Sequence, residues 1–211
     1  MTPRLGAAYH EAGHAIMALC AMRTIERVEI DDMGGGKYYG RKGPAGDTME
    51  QRLRWLALEM SIVAAGAAAQ KFIDPHGMFR ACSGDRADIE ELKLMCEILT
   101  GDRAGRELLD NSRREAGRLV DRLFPLVKKL AKALNARGRL TGDEIWAVLG
   151  GKPGARNPDK EPAKQRTPSS PVLMARTGDA GFNLPAGKPP PLYPERCEAA
   201  TRAFRRRHGA F

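Results

Sequence analysis

The feature that most constrains this chain is a run of small apolar residues near its N-terminus. From Gly6 to Met22 the residues are almost all Ala, Gly, Ile, Met, Leu and Cys, and the polar exceptions are Tyr9, His10, Glu11 and His14. A helix that is apolar on all sides is a buried helix, so the rest of the fold must surround it. Because buried imidazoles and carboxylates are costly without partners, the polar group in this run predicts a bound ion.

The polar group has the spacing of a metal site. His10-Glu11-Ala12-Gly13-His14 is an HExxH pattern, and residues four apart share one face of a helix, so both imidazoles can reach a single ion. Glu11 is turned by about 100° from His10 and can reach a water bound at that ion. The pattern predicts zinc held by His10 and His14, with Glu11 as catalytic base. The alternative interpretation is two core histidines bonded to backbone carbonyls and a glutamate at the surface.

Two histidines leave a tetrahedral zinc short of one protein ligand. The spacing leaves this ligand open between Asp88, Asp85, His76 and a glutamate. Asp85 and Asp88 lie where a helix begins, and there an aspartate can simply cap the helix and complement its dipole.

Residues 1–150 predict a mainly α domain with a small β-hairpin or sheet. Val28 and Ile30 share the inner face of one predicted strand, and Pro125 is expected to kink or interrupt a long helix. The predicted helices are Thr2 or Gly6 to Met22, Thr48 to Phe72, Asp85 or Asp88 to Thr100, Arg103 to Ala136, and Thr141 to Leu149; the predicted strands are Ile25–Asp31 and Lys37–Arg41.

The composition changes near Gly150. Ten of the 14 prolines lie in residues 151–211, and that segment has 12 Lys and Arg against 5 Asp and Glu. These features predict a flexible, disordered C-terminal tail with room for a short helix from Glu195 to Arg207. Its basic charge favours solubility, with an acidic partner or nucleic acid as the alternative.

Several functional classes are disfavoured. The sequence has no P-loop, no CxxC pair among its four cysteines, no signal-peptide layout and no apolar run near the ~18 residues of a membrane span. Scattered thiols without a secretion signal favour a cytoplasmic location. We expect no membrane partner, and no nucleic-acid partner except through the basic tail.

The motifs resemble the peptidase domain of the FtsH family of ATP-dependent zinc metalloproteases. Ala8–Ala15 reads AYHEAGHA, which matches that family's segment without a gap. Ala65–Gln70 is similar to its GGRAAE segment, and Ser83–Glu90 to its loop ending in Asn-Asp-Ile-Glu. The resemblance covers most of residues 5–149. It implies that Asp88 is the third zinc ligand and that the substrates are proteins.

The chain also departs from that family. The AAA ATPase module and the membrane segments are missing, and the region before Thr48 is short, so any flap that guides substrate is reduced. Ala67 and Gln70 stand where the family has Arg and Glu. The family's glutamate supports the zinc histidines from outside the ligand set, and an amide there can still form a hydrogen bond but brings no charge.

Two functions follow from these patterns. The first is a zinc metalloendopeptidase that cuts unfolded or flexible protein substrates, in which Glu11 takes a proton from water and returns it to the leaving amine. An extended substrate would pair with the Ile25–Asp31 strand if that strand lies at an edge. The second is a peptidase-like scaffold, weak or inactive in catalysis, that binds metal or a protein partner. Further candidate partners are an ATPase acting in trans and a second copy of the chain.

Overall fold

The computed structural model describes residues 2–76 and 83–151, without the side chain of Ser83. The predicted tail lies outside the described residues except for Gly151. The elements in chain order are α1 (Pro3–Cys20), β1 (Ile25–Ile30), β2 (Gly36–Gly40), α2 (Met49–Lys71), α3 (Ser83–Thr100), α4 (Asp102–Arg122), α5 (Phe124–Arg137), β3 (Arg139–Thr141) and α6 (Gly142–Val148). The predicted mainly α class with a small sheet is confirmed.

Helix α1 is the buried centre of the fold. The side chain of Thr2 caps it by accepting a hydrogen bond from the backbone N–H of Leu5, and Pro3 occupies the first turn, where no backbone donor is needed. Every residue from Gly6 to Ala18 is buried, as the apolar run predicted. The helix packs against α2, α5 and the sheet.

Helices α2 and α6 begin at capping signals, whereas α3 begins at Ser83 and not at the predicted Asp85 or Asp88. Thr48 and Gln51 form the predicted capping box at the start of α2, and Thr141 with Glu144 forms one at α6. The long helix predicted around Pro125 is two helices, because the chain leaves α-helical geometry at Leu123.

The three strands form an antiparallel sheet in the order β2-β1-β3. Strand β1 turns Ile25, Val28 and Ile30 inward, in agreement with the predicted face. The sequence analysis missed β3, whose Leu140 pairs with Val28 and is fully buried. Since β1 is the central strand, the expectation that it could be an edge open to a substrate is wrong. In the described part of the chain, the outer side of β2 pairs with no strand.

Two apolar clusters stabilise the domain. The larger one surrounds α1 and takes side chains from α2, α4, α5, α6, β1 and β3. The smaller one joins the first half of α2 to α3 and α4, and its buried members are Leu56, Met60, Leu92, Cys96 and Leu109. Because Leu92 and Cys96 anchor α3 in this second cluster, α3 is fixed beside α2.

No helix in the two described ranges is both long enough and apolar enough to cross a membrane.

A glycine-to-alanine pair tests the packing of α1. A Cβ on Gly13 would lie 2.4 Å from the carbonyl oxygen of Ala65 and 2.7 Å from the Cβ of Ala69, whereas a Cβ on Gly117 of α4 would meet nothing within 4 Å. We expect Gly13→Ala to lower the free energy of unfolding by about 1–3 kcal/mol through overpacking. Gly117→Ala should be neutral or stabilise by up to about 1 kcal/mol. Equal denaturation midpoints for Gly13→Ala and the wild type would contradict this packing.

Candidate metal centre

The HExxH histidines lie side by side on the buried face of α1. The rings of His10 and His14 have centroids 4.7 Å apart and stand nearly perpendicular, and both side chains are buried. This is the arrangement that the four-residue spacing predicted.

Helix α2 orients both rings. Nδ1 of His10 donates to Oε1 of Gln70 at 3.1 Å, and Nδ1 of His14 donates to the backbone carbonyl of Ile62 at 2.8 Å. Amide and carbonyl oxygens only accept, so each Nδ1 donates a proton to α2, and each Nε2 is left to face the carboxylate of Asp85. Gln70 thus makes the hydrogen bond that the sequence analysis expected of an amide at this position.

The third member of the cluster is Asp85, in the first turn of α3. Its Oδ2 lies 2.7 Å from Nε2 of His10 and 3.3 Å from Nε2 of His14. One ligand atom from each of the three residues lies within 4.8 Å of the others. Histidine nitrogen and carboxylate oxygen are ligands that zinc takes in proteins.

The structure separates the alternatives that spacing left open. It brings Asp85 to the histidines, whereas Asp88, which the resemblance implied, and His76 are both exposed and outside the cluster. Asp88 lies one helical turn further along α3, on a part of the helix that does not reach α1.

A glycine of α2 leaves room beside the two imidazoles. A Cβ on Gly66 would fall 2.4 Å from Nε2 of His14 and 2.6 Å from Nε2 of His10. Any side chain here would occupy the space beside the two potential ligand atoms. The sequence gives no signal for this role of Gly66, because its contact with α1 exists only in three dimensions.

Glu11 is buried beside the cluster with spare hydrogen-bonding capacity. It is 5% exposed, and within the described ranges its Oε2 has no hydrogen-bond partner. A Cβ on Gly36, at the start of β2, would lie 2.7 Å from the Oε1 of Glu11, so the missing side chain lets the strand approach the carboxylate. A buried carboxylate oxygen without a hydrogen-bond partner costs free energy in the folded protein.

The charges of the cluster shift its pKa values strongly. Burial lowers the pKa of His14, but the hydrogen bond and negative charge of Asp85, helped by Glu11, outweigh it and raise that pKa to about 9. Burial would raise the pKa of Asp85, yet the hydrogen bonds from His10 and His14 hold it well below its usual range. Burial also raises the pKa of Glu11, although the two histidines oppose this shift. The shifts of His14 and Asp85 show that these two groups form an ion pair in the metal-free protein.

The residues present fit a divalent cation. Two Nε2 atoms and one carboxylate oxygen lie close to one another, Gly66 leaves space beside them, and Glu11 interacts electrostatically with all three residues.

The chain is similar to a zinc metalloprotease. It is 30% identical, over 185 aligned positions, to the ATP-dependent zinc metalloprotease FtsH 1 of Symbiobacterium thermophilum. The alignment takes in 72% of this chain and 30% of that protein, so the chain spans less than a third of the relative's length. No family model matches the chain.

Paired alanine variants distinguish the two aspartates. Asp85→Ala should weaken zinc binding by at least about a hundredfold, since removing even the outer partner of a ligand costs 10–100-fold. Asp88→Ala should leave the affinity unchanged, because Asp88 lies outside the cluster. Competition with a chromogenic chelator measures both. The reverse result, with Asp88→Ala losing the metal, would show that the ligand is the residue implied by the resemblance.

The raised pKa of His14 predicts a pH dependence of stability in the metal-free protein. Because the folded-state pKa of about 9 lies above the ordinary 6.5, the proton on His14 stabilises the fold fully below pH 6.5. That contribution should be lost as the pH rises from 6.5 to 9. Urea unfolding in EDTA at several pH values measures it, and Asp85→Asn should flatten this part of the profile. A wild-type profile as flat as that of Asp85→Asn would contradict the ion pair.

Proposed function

We propose that this domain is a zinc-dependent endopeptidase that cuts extended segments of protein substrates. The observation that carries the proposal is the convergence of His10, His14 and Asp85 next to the buried carboxylate of Glu11. The similarity to an FtsH metalloprotease supports the same chemistry.

Each residue has a distinct role in this proposal. His10, His14 and Asp85 would hold the ion, and Gln70 and the Ile62 carbonyl keep the imidazoles in the required tautomer and orientation. When bound, zinc supplies Lewis-acid activation of water and of the scissile carbonyl. Glu11, which binds no ion itself, accepts the proton of the attacking water and delivers it to the leaving amine. Its raised pKa suits a group that must both take and release a proton.

Strand β2 is the proposed binding edge for the substrate backbone. It begins at Gly36, beside Glu11, and the ring of Tyr38 lies 6.3 Å from that of His14. An extended peptide that adds to the outer side of β2 would bring its backbone past the cluster. A folded protein cannot present such a segment, so unfolded and flexible chains are the proposed substrates.

A scaffold that binds metal without catalysis is the second candidate. The observation in its favour is the uncharged Gln70, which gives His10 a hydrogen-bond acceptor without the negative charge of a carboxylate. Glu11 favours the enzyme, because a scaffold gains nothing from a buried carboxylate oxygen without a hydrogen-bond partner.

The partners of the chain stay predictions. Protein or peptide substrates follow from the proposed chemistry, and an ATPase acting in trans is the proposed source of unfolded segments. We also propose, from the sequence, that the chain can associate with a second copy of itself and that it is located in the cytoplasm.

Glu11→Gln separates catalysis from metal binding. The variant removes the proton acceptor and no ligand, so it should keep one zinc per chain and lose at least about a hundredfold in the rate of casein cleavage. Metal analysis and a fluorescent casein assay measure the two properties. Glu107→Gln, at an exposed position of α4, is the control and should match the wild type.

Two outcomes would change the proposal. Equal cleavage by Glu11→Gln and the wild type would exclude the role of Glu11. Zinc-loaded wild type that cuts neither casein nor short peptides would favour the scaffold.

A further inference from the structure

Helix α3 carries a second apolar surface that faces away from the domain. Its inner side is anchored by Leu92 and Cys96, both buried. On the outer side, Leu94 is 57% exposed, Met95 40% and Ile98 75%. These three residues, here called the α3 ridge, are within one turn of each other and form a continuous strip.

Helix α3 itself carries an excess of acidic residues around the ridge. Five acidic residues and two basic ones occur in α3. Asp88, Glu90 and Glu91 are exposed, and Lys93 is paired with Glu90 at 3.5 Å. A partner that combines an apolar side chain with positive charge would therefore fit this helix.

The small area of the α3 ridge favours binding of a segment from the same chain over binding of a separate molecule. Three side chains provide much less than the roughly 800 Å² per partner that a stable interface between separate molecules buries. A segment attached to the same chain needs much less contact area, because a flexible linker provides an effective concentration on the millimolar scale.

The C-terminal part of this chain has the required chemistry and reach. Phe204 is followed directly by Arg205, Arg206 and Arg207, and about 50 residues separate Phe204 from Gly151. A flexible linker of that length spans about 40 Å on average. That is comparable with the width of a 150-residue domain, whose radius of gyration is about 15 Å.

We propose that the segment 195–211 docks on the α3 ridge of its own chain. Phe204 packs against Leu94 and Ile98, and the arginines lie against the acidic residues of α3. Because the first turn of α3 carries Asp85, the docked segment also restrains the helix that supplies the carboxylate of the metal centre. This inference does not depend on the peptidase activity.

Hydrogen–deuterium exchange of the full chain tests the proposal. Phe204→Ser should accelerate amide exchange in residues 92–100 by about threefold or more, as expected if the segment is docked at least two-thirds of the time. Phe182→Ser, which removes another tail phenylalanine, is the matched control and should exchange like the wild type. Raising the salt concentration should reduce the difference between Phe204→Ser and the wild type, since screening weakens the arginine contacts.

A double-mutant cycle locates the contact on α3. If Phe204 packs against Ile98, Phe204→Ser in an Ile98→Ser background should produce little further acceleration. The same tail change in a Met33→Ser background should keep its full effect, because Met33 is an 88% exposed residue of the β1–β2 turn and is not part of the α3 ridge.

Three results would overturn the proposal. Equal exchange of α3 in the wild type and Phe204→Ser would show that this segment does not dock there. Additive effects of Ile98→Ser and Phe204→Ser would place the contact elsewhere. Amide protection of α3 that rises as the protein concentration is increased from about 1 to 100 μM would identify a second copy of the chain as the occupant.

Discussion

The close approach of α1 and α2 is the contact on which the candidate site depends. Gly13 of α1 faces the backbone of Ala65, and Gly66 of α2 faces the two imidazoles, so each helix has no side chain where the other comes closest. At this separation α2 can reach the Nδ1 atoms of both histidines with Gln70 and Ile62. A wider spacing would leave those donors buried without partners, which costs more free energy than the hydrogen bonds themselves contribute. The small residues are therefore part of the site as well as of the core.

The sequence was sufficient for the parts of the site that lie on one helix. The four-residue spacing of His10 and His14 determines that they share a face, and the apolar run around them determines that this face is buried. Helix ends were equally predictable where a local signal exists, as at Thr48 and Pro125. These features depend on neighbours within a few residues along the chain.

The parts that could not be predicted depend on distances between elements. Asp85 and Asp88 are three residues apart and share one side of α3, so periodicity cannot choose between them. They differ by about 4.5 Å along the helix axis, and only the docking of α3 on α2 determines which one reaches α1. The three-residue strand β3 was missed for a similar reason. It is shorter than any alternating pattern can reveal, and its pairing joins residues 139–141 to residues 27–29, which are far apart in the sequence.

The contact of Asp85 with the histidines of α1 also determines the net charge of the buried site. Asp85 and Glu11 together bring two negative charges to a region where the histidines are oriented by neutral groups, the amide of Gln70 and a backbone carbonyl. A divalent cation would cancel those two charges completely, with both imidazoles neutral. A monovalent ion would leave one charge unbalanced inside the protein, and a third carboxylate in place of Gln70 would do the same for a divalent ion. With an uncharged residue at position 70, a divalent ion is therefore the one that leaves the groups around it without net charge.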